Sequence, residues 1–129
     1  MEYNMHLNEV YFDKVVNGNK TIELRLNDEK RSKINVGDTI TFKNRSNDDT
    51  VSVVVTNIYH YDNFEELYKH TDKLKIGYSE DDIASPADMN TIYSNEQQMK
   101  YGVVAIEFKL KWKELKLFFY SSHSVNTLP

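Results

Sequence analysis

The 129 residues include no cysteine, so disulfides, thiolate metal ligands and a cysteine nucleophile are excluded. Only four glycines and two prolines occur, and no G-x-G-x-x-G, P-loop or G-x-S-x-G can be found. Dinucleotide redox chemistry, P-loop nucleotide hydrolysis and a serine elbow therefore lack their motifs. The four histidines, His6, His60, His70 and His123, show neither H-x-H nor H-E-x-x-H spacing, and no metal or other cofactor is assigned. No apolar run approaches the roughly 18 residues of a membrane span. The opening Met-Glu-Tyr-Asn-Met-His has neither the basic region nor the apolar core of a signal peptide, which points to a cytoplasmic protein that makes no use of a membrane.

What is present describes one globular domain. Hydrophobic residues at 40% and charged residues at 28% suit a self-sufficient core. We expect a single domain over residues 1–120, with the small polar stretch 121–129 as a flexible tail. A net charge of −4 argues against a binder of long duplex nucleic acid, which needs a basic surface. The charge is uneven, however. Residues 20–45 hold seven basic side chains against four acidic ones, and lysines recur at 109, 111, 113 and 116, whereas acids gather at 65–66 and 80–82. A basic cleft on an acidic body would favour small or single-stranded ligands.

Periodicity and capping signals predict an α+β chain. Asn8 to Asn17 reads as a helix with Phe12, Val15 and Val16 inward and Gly18 after its end. Leu26 to Lys33 is a polar loop; Gly37-Asp38 leads into a strand with Ile40 and Phe42 inward. Val51 to Tyr59 is apolar on both sides, with Val51, Val53 and Val55 opposite Val54 and Ile58, as in a central strand covered on both faces. Asn63 with Glu66 has capping-box spacing for a helix to about His70, and Ser79, Ser85-Pro86 and Ser94 mark further short helices, the last ending at Gly102. From Val104 to Trp112 apolar and polar residues alternate, predicting a strand with one face in solvent, and Leu115 to Tyr120 could add an edge strand. Nine tyrosines are an unusual feature; Tyr59, Tyr61, Tyr68, Tyr78, Tyr93 and Tyr101 surround the middle region, where one or two could stack on a base.

The most informative segment is Gly18-Asn-Lys-Thr-Ile-Glu-Leu-Arg25. Thr21 to Leu26 alternates with strand period, so Thr21, Glu23 and Arg25 share the face opposite Ile22, Leu24 and Leu26. Lys20 has the wrong parity and is placed at the strand's start as a mobile point charge beside the flat donor fork of Arg25. These residues suit an anionic or polar ligand. They equally suit an ordinary solvated strand face.

The octet resembles the G-x-K-x-x-E-x-R signature of the ASCH domain, a branch of the PUA-like superfamily. Lys30-Arg31, the segment Ile34 to Phe42 and Tyr101-Gly-Val-Val-Ala-Ile-Glu-Phe108 are similar to that family in the same order, so that the resemblance spans about residues 5–112. It implies a PUA-like β-barrel of mixed strands flanked by short helices, with a cleft lined by Gly18, Lys20, Glu23 and Arg25 and extended by Lys30 and Arg31. It also implies partners such as single-stranded RNA or a small nucleoside or nucleotide. One bacterial subgroup of the family removes the acetyl group of acetylcytidine, with a threonine nucleophile where this chain has Glu23, an activating lysine matched by Lys20, and a glutamate for which Glu80 is the nearest candidate. Three readings stand side by side: a nucleotide- or RNA-binding cleft, an amidohydrolase using Lys20, Glu23 and Glu80, and a protein-interaction module in which the signature is a structural ion cluster.

Overall fold

The computed structural model describes residues 1–111. Its strands are β1 (Glu2–Leu7), β2 (Ile22–Leu26), β3 (Thr39–Asn44), β4 (Thr50–Tyr61) and β5 (Val103–Leu110), and its helices α1 (Glu9–Val16), α2 (Phe64–Lys69), α3 (Ala87–Asn90) and α4 (Asn95–Tyr101). One mixed sheet carries all five strands in the order β1-β3-β4-β5-β2, with β1 parallel to β3 and the other pairs antiparallel. The sheet curls into a half-barrel whose edge strands are β1 and β2. The arrangement is the α+β, PUA-like one expected from the sequence.

Each element has a local cause. Asn63 caps α2 by accepting from the Glu66 amide, and Ser94 with Gln97 closes a reciprocal capping box on α4. Gly102 leaves α4 at φ +72°, which a glycine adopts without strain. In β3, Ile40 and Phe42 point fully into the core, and Phe42 meets Phe108 of β5 with ring centroids 5.4 Å apart. Met5, Leu7, Phe12, Val15, Val53 and Val104 belong to the same apolar cluster. A second cluster on the other side of β5 and β2 joins Ile22, Leu24, Leu26, Val103 and Ala105 to Phe64 and Leu67 of α2.

Several expectations change. β1 has no counterpart among the elements expected from the sequence, although Tyr3, Met5 and Leu7 carry its alternation. Val16 faces solvent, since α1 turns only Phe12 and Val15 fully inward. A register shift in β4 between Val55 and Asn57 inserts one residue, which moves Ile58 onto the side of Val51, Val53 and Val55. β4 is central as expected, but its far face is only half covered. β5 is buried on both faces along its first half, because α2 and the following segment cover Val103 and Ala105. Ser79 to Asp82 is a turn rather than a helix, held by the Asp82 carboxylate accepting from the Ser79 amide at 2.7 Å. The expected strand Leu115–Tyr120, Trp112 and the tail 121–129 lie outside the described residues. Among the described residues no helix is long and apolar enough to cross a membrane.

Candidate functional site

The site begins where α1 ends. Gly18 takes φ +85°, the chain reverses, and the Lys20 amide donates back to the Lys14 carbonyl at 2.9 Å. The loop 72–78 then docks on the start of β2: the Lys75 carbonyl accepts from the amides of Thr21 and Ile22. Lys14 Nζ donates to the Gly77 carbonyl. Lys20 is drawn inward by this loop and is only 4% exposed. Its ammonium donates to the Ile22 carbonyl at 2.7 Å and the Ile76 carbonyl at 3.0 Å, and sits 3.1 Å from Glu23 Oε1. The lysine is therefore fixed, not the mobile charge that its parity suggested.

The network continues along β2. Arg25 Nε donates to Glu23 Oε2 at 2.7 Å, and Arg25 Nη2 donates to the His6 carbonyl of β1 at 3.1 Å. Since β1 and β2 are the two edges of the sheet, this guanidinium bridges the open seam of the half-barrel. Glu23 is buried, so the face of β2 opposite Ile22 and Leu24 is not a solvated one. Burial lowers the Lys20 pKa, and the adjoining Glu23 carboxylate opposes that shift without cancelling it. Burial raises the pKa of Glu23, but Lys20 and Arg25 more than offset this and hold the carboxyl below its ordinary value. Arg25 is shifted upward: burial acts against its charge, and Glu23 outweighs that. Two cations around one carboxylate leave a net positive floor.

Above this floor opens a cleft of about 260 Å³. Lys20 lines it from just before β2, Glu23 and Arg25 from β2, and His6, Asn8 and Tyr11 from the junction of β1 and α1. Arg45 lines it beyond the end of β3, and Tyr68, Tyr78, Asp88, Met89, Ile92 and Tyr93 from the segment that follows α2's start. The Lys20 ammonium lies 5.8 Å from the Tyr11 ring centroid. Gly77 packs beneath this pair at φ +111°; a Cβ there would come within 3.2 Å of the Tyr11 ring. Tyr78 donates to Asp88 Oδ2 at 2.7 Å and meets the Tyr68 hydroxyl at 2.9 Å. Burial and these bonds push the Tyr78 phenol strongly upward, so it stays protonated.

The structure thus brings together Lys20, Glu23 and Arg25, while Gly18 shapes the approach to them. It does not bring in Lys30 or Arg31: Lys30 is exposed, and Arg31 pairs with Asp28 at 3.0 Å in a short 3-10 turn away from the cleft. Glu80 is exposed and outside the cleft; its carbonyl takes the Lys73 ammonium at 2.8 Å. The middle-region carboxylate in the cleft is Asp88. Sequence reasoning also passes over His6, Tyr11 and Arg45. Tyr11 has a signal, standing three residues after Asn8 on the stripe of α1 beside its apolar face, whereas Arg45 has none at short range.

Known proteins share this architecture. The family model of the ASCH domain matches residues 5–111, and the chain belongs to that family. It is similar to the hypothetical protein PH0355, known from a crystal structure, at 32% identity and a TM-score of 0.72, covering 86% of this chain and 100% of that one. It is similar to the protein PF0455 from Pyrococcus furiosus at 32% identity and a TM-score of 0.67, covering 87% and 99% respectively. A mutant of ZmASCH from Zymomonas mobilis shares the fold at 14% identity and a TM-score of 0.63, over 84% of this chain and 67% of that one. No curated protein matches the chain.

Proposed function

We propose that the cleft binds one nucleoside unit, either of a free nucleotide or of single-stranded RNA. The observation that carries this reading is a cleft of about 260 Å³ with four tyrosines, Tyr11, Tyr68, Tyr78 and Tyr93, around a fixed guanidinium. Ligand pockets for larger molecules run from about 300 Å³ upward, so this one suits a single base with its sugar. Aromatic rings offer flat faces for stacking, worth about 1–3 kcal/mol per base. Arg45 at the rim is the cation placed to meet a phosphate, while the acidic body discourages a long strand. The amidohydrolase reading has less support. Lys20 Nζ already faces three oxygens and both Glu23 oxygens face cations, so neither is free to move a proton without breaking the network.

Titration of labelled protein with nucleoside monophosphates and a short single-stranded RNA, followed by amide chemical shifts, tests the proposal. Shifts should map to β2, the start of α1 and residues 68–93, and Tyr11→Ala should weaken binding at least about fivefold. With about one phosphate neutralised, the salt slope should be near −0.7, so that raising salt from 50 to 200 mM weakens binding only about threefold. Absence of any shift with millimolar nucleotide, or shifts confined to another face, would refute it.

A further inference from the structure

The wall of the cleft facing β2 carries an ordered set of hydroxyl protons, and their direction bears on which base fits. This inference rests on the nucleoside-binding reading of the same cleft. Tyr78 Oη lies 2.7 Å from Asp88 Oδ2 and 2.9 Å from Tyr68 Oη. An ionised carboxylate only accepts, so the single Tyr78 proton points at Asp88. The bond between the two phenols must then be donated by Tyr68. A longer contact of 3.4 Å from Tyr78 Oη to the Ser85 carbonyl also ends on an acceptor and leaves the count unchanged.

Both phenolic protons are therefore held inside the wall. Within the line Tyr68–Tyr78–Asp88 only acceptors are left for a ligand: the Tyr68 oxygen and Asp88 Oδ1, which has no hydrogen-bond partner among the described residues, on two residues that line the cleft. The opposite wall presents donors. Arg25 has Nε on Glu23 and Nη2 on the His6 carbonyl, and the Tyr93 phenol is its other polar neighbour in the cleft. Its five N–H groups outnumber these partners, and a guanidinium cannot accept.

We propose that the line Tyr68–Tyr78–Asp88 is the specificity element of the cleft, selecting a base with an exocyclic amine, as in adenine or cytosine, over its carbonyl counterpart, as in hypoxanthine or uracil. An amine carries two protons and satisfies two acceptors at once. The lone ring N–H of uracil lies between two carbonyl oxygens, which would face the same acceptors and leave them opposed. The amine's neighbouring ring nitrogen is an acceptor and suits Arg25. An unsatisfied pair at a half-exposed site should cost binding on the order of tenfold.

The test compares adenosine with inosine and cytidine with uridine by calorimetric titration, in the wild type, Tyr78→Phe and Asp88→Asn. The wild type should favour the amine of each pair about tenfold. In Tyr78→Phe the Tyr68 proton loses its acceptor and can turn into the cleft, while Asp88 Oδ2 loses its donor and stays an acceptor, so the preference should fall severalfold with the amine still favoured. Asp88→Asn changes an exposed residue and provides a second readout should Tyr78→Phe fail to fold. Its amide nitrogen would donate to the cleft, and the preference should shrink or reverse. Equal affinity within each pair in the wild type overturns the inference and leaves nucleoside binding standing. A preference unchanged in both variants also overturns it. No binding of any of the four nucleosides overturns the inference together with the reading beneath it.

Discussion

Glu23→Gln is the most demanding test of how the site is held together. The substitution keeps the shape of the side chain and removes one negative charge from between two cations. Lys20 and Arg25 then remain with side chains only 4% and 13% exposed and no counterion. Removing one member of a buried ion pair typically costs about 3–5 kcal/mol, because the remaining charge is desolvated without compensation. Two features limit the loss here. Lys20 keeps its bonds to the Ile22 and Ile76 carbonyls and can shed its proton more easily than an exposed lysine, and the oxygen of the new amide would still accept from one neighbour. The nitrogen of that amide, however, would face the other cation. We expect a loss of about 3 kcal/mol, out of the roughly 5–15 kcal/mol that holds a domain of this kind together.

Urea denaturation followed by far-ultraviolet circular dichroism measures this directly. With an m-value of about 1.5 kcal/mol/M, the midpoint should fall by about 2 M while m stays constant. The pairwise origin is checked by a cycle with Lys20→Met. Each single variant should be destabilised, and the double variant should be more stable than the sum predicts by about 1–3 kcal/mol. A Glu23→Gln midpoint equivalent to less than about 1 kcal/mol, or singles that add within about 0.5 kcal/mol, would show that the three charges do not act as a buried unit.

Three further outcomes concern pH, the glycine under the cleft and a helix cap. Since the folded-state pKa of Glu23 lies below its unfolded value near 4.5, the unfolded chain binds more protons in that window; stability should fall as pH drops below about 4.5, and Glu23→Gln should lose less over that range in parallel melts. Gly77→Ala places a side chain at φ +111° and 3.2 Å from the Tyr11 ring, and should cost about 1–3 kcal/mol in denaturant melts while shifting the Tyr11 ring resonances; a variant as stable as wild type would refute the strain. Asn63→Ala removes the cap on the Glu66 amide and should cost about 0.5–2 kcal/mol, read as a lower thermal midpoint, with the sheet unaffected.

The parts of this fold that can be seen in the sequence are those with local causes. The caps at Asn63 and Ser94 sit three residues from their partners, and the inward Ile40 and Phe42 follow from strand period alone. Alternation misleads at β5, because Ala105 is small enough to be packed under α2 although its position reads as the open face. In β4 one inserted residue reverses the parity beyond Val55, which no periodic pattern anticipates. The octet stands out in the sequence, yet the burial of Lys20 depends on the loop 72–78, more than fifty residues away. Lys30 and Arg31 match a signature by order, but a carboxylate three residues before Arg31 holds it in a local turn. Tyr11, Arg45 and Asp88 converge from three distant segments, and only the tertiary fold brings them together.

The seam between β1 and β2 connects the structural and functional roles of the signature. Two edge strands that are not paired with each other leave backbone groups exposed, and a ladder between them would close the barrel but fill the space where the cleft stands. Here the gap is bridged by one side chain, Arg25, reaching the His6 carbonyl, and that side chain is held in place by Glu23, which Lys20 anchors in turn. The same ion network therefore keeps the seam joined and leaves the cleft floor open and positive. Substitution within it changes folding and binding together, so a Lys20 or Glu23 variant that fails to bind says little about contact with a ligand. Residues that line the cleft without belonging to the network, Tyr11, Arg45 and Asp88, are where a loss of binding at unchanged stability separates recognition from architecture.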